Sequence, residues 1–316
     1  KLLKEKYPTK QSVYRELINL NAIMNLPKGT EHFMSDLHGE YDAFYHIINN
    51  CSGVIREKVA MLYGDELTVY EQQELCTLIY YPREKLSILM EENKVTDEWY
   101  RNVLGQLIQI AKLLSSKYTR SKVRKAMPVD FAYVIDELIH AQKDEDDNRS
   151  VYHRQIMETI LSLHNGDEFL IALTDLIKRL AVDHLHILGD IYDRGSHADK
   201  ILDLLMEHHS VDIQWGNHDI LWMGAFCGNP VCMALVVRNN IKYKTMSILE
   251  NGYGISLRFL LQFAVKTYSD KNVDDAVYKA ISVILFKLEG QLIKRHPEYR
   301  MEGRLLLDKM DLDKGV

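Results

Sequence analysis

Three short stretches of the sequence pass from an apolar or alternating run into Gly, Asp, Asn and His. They are His32-Phe33-Met34-Ser35-Asp36, the stretch from His184 to Asp190, and the stretch from Val211 to Asn217. Each pattern predicts a strand that ends in a polar loop. In the second, Leu185 and Ile187 alternate with His184 and His186, so one face is apolar. Ile201, Leu204 and Leu205 fall at helical spacing and predict a helix over 198–209, between the second and third strands. Strand–helix–strand is the unit of a mostly parallel sheet. In such sheets functional residues collect where strands run out into loops.

From about Tyr41 to Leu180 the period is that of helix after helix. Thr68 and Glu71 are spaced as a capping box. Leu104, Leu107, Ile108, Ala111 and Leu114 form an apolar helical stripe. The segment from Lys143 to Asn148 is a charged connector between helices, and no internal repeat or low-complexity tract is present. The chain becomes helical again from Pro230, with a break at Asn251-Gly252-Tyr253-Gly254. The expected organisation is an α/β domain carrying an inserted helical block and followed by a second helical block.

Charge and composition narrow the partners. The 316 residues include 39 basic and 45 acidic side chains, a net charge of −6. That balance weighs against nucleic acid or an anionic membrane as the main partner, but leaves room for a local anion pocket. No apolar run approaches the ~18 residues of a membrane span. Cys51, Cys76, Cys227 and Cys232 contain no Cys-x-x-Cys pair, which suits free thiols in a reducing compartment; the cytoplasm is the default expectation. The charged start at Lys1, the lack of an initiator Met and the stop after Leu312-Asp313-Lys314-Gly315-Val316 suggest a piece of a longer protein.

The polar strand ends carry the chemistry. Asp36 and His38 stand two apart at the first, so a carboxylate oxygen and an imidazole nitrogen can reach one point, a donor pair suited to Mn²⁺, Fe, Co²⁺ or Zn²⁺. At the second, Asp190 can bridge two metals, and Arg194 offers a planar fork of donors to phosphate oxygens. At the third, Asn217 is a neutral oxygen ligand, and His218 can donate a proton if a carboxylate holds its tautomer. Asp193 is the candidate carboxylate. Neighbouring residues get blander expectations: His184 and His186 as packed or solvent-facing, His208 and His209 as a helix end, Trp215 and Trp222 as core, and Lys122, Arg124 and Lys125 as a solvated face.

Taken together, Asp36-x-His38, Gly189-Asp190-x-x-Asp193-Arg194-Gly195 and Gly216-Asn217-His218-Asp219, each after a strand, resemble the calcineurin-like metallophosphoesterase superfamily. The Asp-Arg-Gly ending is similar to its phosphoprotein phosphatase branch. The long helical block between Asp36 and Asp190, with the wording from Val211 to Ala225 and from Ile248 to Ile255, closely resembles bacterial class 3 fructose-1,6-bisphosphatase over essentially the whole chain. Ser196 stands where the family pattern leads one to expect proline.

The resemblance implies an α/β fold, a calcineurin-like sheet sandwich flanked by helices. The core would comprise residues 1–40 and 181–316, with a helical insertion over 41–180. It implies hydrolysis of fructose 1,6-bisphosphate to fructose 6-phosphate in gluconeogenesis, by a two-metal mechanism with Mn²⁺ as the expected ion. Asp36, His38 and Asp190 would hold one ion, and Asp190 and Asn217 would begin the shell of the other. Arg194 would bind phosphate, and His218, oriented by Asp193, would protonate the leaving oxygen. The superfamily pattern needs two further histidine ligands, yet His296 is the only histidine after His218, so these are expected outside this stretch. Alternatives are a phosphoprotein or dinucleoside-polyphosphate phosphatase of the same superfamily, and a non-catalytic fragment. A sugar bisphosphate is the expected partner, with a metabolite effector and a homo-oligomer left open.

Overall fold

All three strands form, each shorter than the stretch that predicts it: β1 spans Glu31–Met34, β2 His184–Ile187 and β3 Val211–Ile213. The computed structural model describes residues 1–141, 147–268 and 272–307. The chain divides into two compact units, residues 1–32 with 46–184, and residues 33–45 with 185–316. The described part is a mostly helical α/β structure with one small sheet in the order β1-β2-β3. No described helix is long and apolar enough to cross a membrane.

The first unit is helical because its sequence repeats at helical period with good caps. Helix α1 (Val69–Tyr80) starts at the anticipated capping box: Glu71 N–H donates to Thr68 Oγ1 at 3.3 Å, and Thr68 N–H donates to Glu71 Oε2 at 2.8 Å. Helix α2 (Asp97–Ser115) is capped by Thr96 and buries Leu104, Leu107, Ile108, Ala111 and Leu114, the stripe read from the sequence. Helix α3 (Gly166–Ala181) is buried along most of its length and packs against α2. Of the charged connector, residues 143–146 lie outside the described residues, as does the chain end at 312–316; Asp147 and Asn148 open the helix Asp147–Ser162. In the basic cluster, Lys122 pairs with Asp183 at 2.5 Å and Arg124 lies 3.7 Å from Asp136.

Cys51 and Cys76 belong to this core, and Cys227 of the other unit is exposed; all four cysteines are free thiols. Burial pushes the Cys51 thiol up from 9.0 to about 12, and raises that of Cys76. A thiol-specific reagent at pH 8 is therefore expected to modify Cys227 in the native protein, and Cys51 and Cys76 only after denaturant is added. Rapid modification of Cys51 without unfolding would contradict this core. Because folding raises the Cys51 pKa, the unfolded chain gives up that proton first. The contribution to stability is complete below pH 9 and is lost as the pH climbs towards 12.

In the second unit β2 and β3 run parallel, with Leu185 opposite Val211, His186 opposite Asp212 and Ile187 opposite Ile213. Leu185 and Ile187 are buried, as their alternation requires. His186 is half-buried: its Nδ1 lies 2.9 Å from Asp212 on the neighbouring strand, and its ring stacks on Phe33. Helix α4 (Ala198–Glu207) joins β2 to β3 and ends two residues earlier than its expected range, with His208 in extended backbone. Helix α5 (Asn217–Phe226) follows β3, and α6 (Pro230–Tyr243) starts at Asn229, whose Oδ1 accepts from Val231 and Cys232 N–H. Helix α6 packs on α5 and on α7 (Val273–Arg295), burying Ala234 and Ile241 with Val277, Ile281 and Leu285. The break at Asn251–Gly254 is real: a wide turn covers Ile248–Gly252 and Gly254 adopts φ +67°.

Trp215 departs from expectation. It is 61% exposed, because β3 is the edge strand and stops at Ile213, leaving Trp215 on the loop beyond it.

Candidate metal centre

The three polar motifs meet because their loops are stitched together by main-chain hydrogen bonds. Asp36 N–H donates to Gly189 O, His38 N–H to Asp190 O at 2.8 Å and Gly39 N–H to Ile191 O at 2.8 Å. In return Gly195 N–H donates to His38 O at 2.6 Å. Gly39 sits at φ +68°, and a Cβ there would stand 2.6 Å from the Gly195 carbonyl oxygen. This close approach requires glycine.

The third loop is tied in by Asp219. Its buried carboxylate accepts four backbone N–H groups: Asp190 at 2.7 Å and Gly216 at 2.8 Å on Oδ2, and Ile191 at 2.9 Å and Tyr192 at 3.2 Å on Oδ1. The loop after β2 and the entry to α5 thus share one anion. Gly216 packs directly on Asp190, leaving no room for a side chain. His218 N–H also donates to Asp190 Oδ1 at 3.1 Å.

Backbone strain concentrates here. Among the described residues, five of the eleven non-glycine positions with positive φ are Asp36, His38, Asp190, Asp193 and Arg194. Left-handed backbone costs an ordinary residue about 1 kcal/mol or more, and such strain clusters where side chains must be aimed for function.

Asp36, His38 and Asp190 present ligand atoms that all lie within 4.8 Å of one another. His38 is buried, and its Nδ1 lies 3.2 Å from the carbonyl oxygen of Tyr192, to which it can donate. In the neutral ring that bond makes Nε2 the nitrogen with the free lone pair. Nε2 is buried without a hydrogen-bond partner and lies 3.5 Å from Asp36 Oδ1. An orphaned imidazole nitrogen between two carboxylates is costly unless something cationic shares the site. The donor set of one nitrogen and carboxylate oxygens fits a divalent ion of the Mn²⁺, Fe, Co²⁺ or Zn²⁺ type. Asn217 opens α5 beside this cluster in sequence and fold, through its neighbour His218.

His218 and Asp193 form the pair expected of them: Nδ1 lies 2.8 Å from Asp193 Oδ2, and the Asp193 side chain is 1% exposed. The rings of His38 and His218 meet edge to face at 5.5 Å. Arg194, at φ +75°, is exposed and makes no ion pair among the described residues, so its guanidinium is available to an anion. All seven sequence-derived residues, Asp36, His38, Asp190, Asp193, Arg194, Asn217 and His218, thus stand on three mutually bonded loops.

Sequence reasoning missed three contributors. Asp219 closes Gly-Asn-His-Asp with no ligand chemistry of its own to single it out; its place three residues after the helix N-cap Gly216 is the available signal. Trp222, read as core, donates its indole N–H to Asp193 Oδ1 at 3.2 Å. Asn239, 46 residues from Asp193, donates to Asp193 Oδ2 at 2.8 Å, and nothing in the sequence pattern links the two. Tyr192 stacks on Trp222 at 4.3 Å and shares a 2.9 Å hydroxyl contact with Tyr253. Burial, then this contact, raises the pKa of Tyr192, so its hydroxyl stays protonated.

Motif loops ending parallel strands, a three-ligand acid–imidazole cluster and a buried Asp–His pair together define a candidate divalent-metal centre on an α/β scaffold. The chain matches the profile described as Firmicute fructose-1,6-bisphosphatase over residues 1–316, and it belongs to that family. It is 50% identical to a class 3 fructose-1,6-bisphosphatase of Clostridium beijerinckii and 51% identical to one of Clostridium tetani, each alignment covering 100% of this chain and 50% of the relative. A Clostridium acetobutylicum class 3 enzyme is 49% identical over 99% of this chain and 50% of its own length. The chain therefore spans about half the length of the curated relatives it matches. No solved structure matches.

Proposed function

We propose that this chain carries the phosphate-hydrolysing centre of a class 3 fructose-1,6-bisphosphatase, releasing the 1-phosphate of fructose 1,6-bisphosphate. The observation that carries this reading is the buried, partnerless Nε2 of His38 set against Asp36 and Asp190, close to the His218–Asp193 pair. The names of the relatives supply the substrate. Under this reading residues 1–40 and 181–316 form a calcineurin-like metallophosphoesterase core and residues 41–180 a helical insertion.

Asp36, His38 and Asp190 would hold one divalent ion, and Asp190 and Asn217 would start the shell of a second; Mn²⁺ suits the oxygen-rich donors. When bound, such ions neutralise phosphate charge and lower the pKa of water. The remaining steps belong to side chains of this chain. Arg194 engages phosphate oxygens through its fork of N–H donors. Asp193 accepts the hydrogen bond of His218 Nδ1–H and so supports the doubly protonated ring, whose Nε2–H passes to the departing sugar oxygen and leaves the ring neutral. Asp219 keeps the two loops in register while this happens. The rest of the second ion's shell would come from the part of the relatives' length that this chain does not cover.

Phosphate release by the whole protein with Mn²⁺ tests the reading. Fructose 1,6-bisphosphate is expected to be turned over well, and a phosphopeptide and a dinucleoside polyphosphate poorly. Preference for the phosphopeptide would reassign the centre to a phosphoprotein phosphatase. Run beside the whole protein, residues 1–316 alone are expected to be far less active; equal activity would show that the centre needs no further ligands.

A further inference from the structure

Asp193 is bound on more sides than an Asp–His pair requires. Its Oδ2 receives His218 Nδ1 at 2.8 Å and Asn239 Nδ2 at 2.8 Å, and its Oδ1 receives Trp222 Nε1 at 3.2 Å. Only one end of the Asn239 amide can face a carboxylate oxygen, because the other end is itself an acceptor; the donor assignment follows from the partner. These three donors arrive from α5 and α6, and both carboxylate oxygens are engaged. Helix α6 is held in turn by Asn240, whose Nδ2 donates to Val236 O at 2.9 Å while its Oδ1 accepts from Thr245 at 3.0 Å, and by the apolar seam with α7.

We infer that Asn239 and Trp222 are positioning residues for proton delivery: they fix the rotation of the Asp193 carboxylate, and through it the orientation of the His218 ring. The inference rests on the proposed role of His218 as the acid. Asp193 sits at φ +66°, on a strained loop that has no helix or strand to steady its side chain. A carboxylate held by His218 alone could turn about its terminal torsion, which is soft. The imidazole would turn with it, and proton transfer needs the donor atom within hydrogen-bond reach of the leaving oxygen. The two added donors remove that freedom. Asn239 also donates to the same Oδ2 as His218, so its amide sets which lone pair is left to accept the imidazole N–H.

The test uses leaving groups. A sugar alkoxide needs a proton to depart, whereas nitrophenolate does not, so loss of acid catalysis is selective for the sugar substrate. In the whole Mn²⁺-loaded protein, Asn239→Leu is expected to lower kcat for fructose 1,6-bisphosphate by about 10- to 100-fold, the scale of one hydrogen bond to a charged group, and to change kcat for p-nitrophenyl phosphate far less. Trp222→Phe, which keeps the stack on Tyr192 but removes the indole donor, is expected to show the same selectivity and covers the case in which the Asn239 variant fails to fold. Mn²⁺ affinity, measured by titration calorimetry, should be unchanged in both. Equal losses on the two substrates, or weakened Mn²⁺ binding, would reduce both residues to structural roles and overturn the inference. His218→Ala separates the two layers. If it is selective while the Asn239 and Trp222 variants are not, the positioning roles fall and the acid stands. If His218→Ala is itself unselective, the acid assignment falls and takes the positioning roles with it.

Discussion

Asp190→Asn in the whole protein is expected to cut hydrolysis of fructose 1,6-bisphosphate by at least about 10²–10³-fold, the scale seen when one preorganised electrostatic contact is removed from a transition state. The substitution is almost isosteric, and an asparagine oxygen can still accept from His218 N–H at the Asp190 Oδ1 position. The fold is thus left nearly untouched while one negative charge leaves the cluster of Asp36, His38 and Asp190. Two consequences should travel together: metal bound per chain falls, and kcat falls with it. An Asp190→Asn enzyme with full metal content and near-native kcat would remove Asp190 from the centre.

Asp219→Asn is expected to have the largest effect on stability. Four backbone N–H groups converge on this buried carboxylate. An amide has one oxygen, so whichever way it turns, two of those N–H groups face an NH₂ donor. Each buried donor left without an acceptor costs about 1–3 kcal/mol, so the total is roughly 2–6 kcal/mol. The damage is not confined to stability, because the same carboxylate aligns Asp190 with Gly216 and hence with Asn217 and His218. A fall in the urea midpoint with an unchanged slope is the expected signature. A destabilisation below about 1 kcal/mol would mean that the four bonds are readily replaced by water.

The contrast between these residues shows what the sequence carries. Asp36, His38, Asp190, Asn217 and His218 were legible because each follows an apolar strand, and because ligand chemistry restricts residue type at fixed spacing. The capping box at Thr68 and Glu71 and the stripe on α2 were legible because caps and helical period are local rules. The lengths of the strands were not, since a short apolar run does not say where pairing stops; β3 ends at Ile213, and Trp215 lies exposed beyond it. The brace on Asp193 was out of reach for another reason. Asn239 meets Asp193 only because α6 folds back across α5, a tertiary contact that leaves no period in the sequence. Asp219 lies between these cases. Its helix-capping position is local, but its bonds to Ile191 and Tyr192 depend on two loops being brought together.

The most direct test of the account is the location of metal in crystals of the whole protein grown with Mn²⁺, read from anomalous scattering at the manganese edge. Two ions are expected to share the Asp190 carboxylate, one also held by Asp36 and His38 and the other by Asn217. Manganese bound elsewhere, with no peak at Asp190, would contradict it.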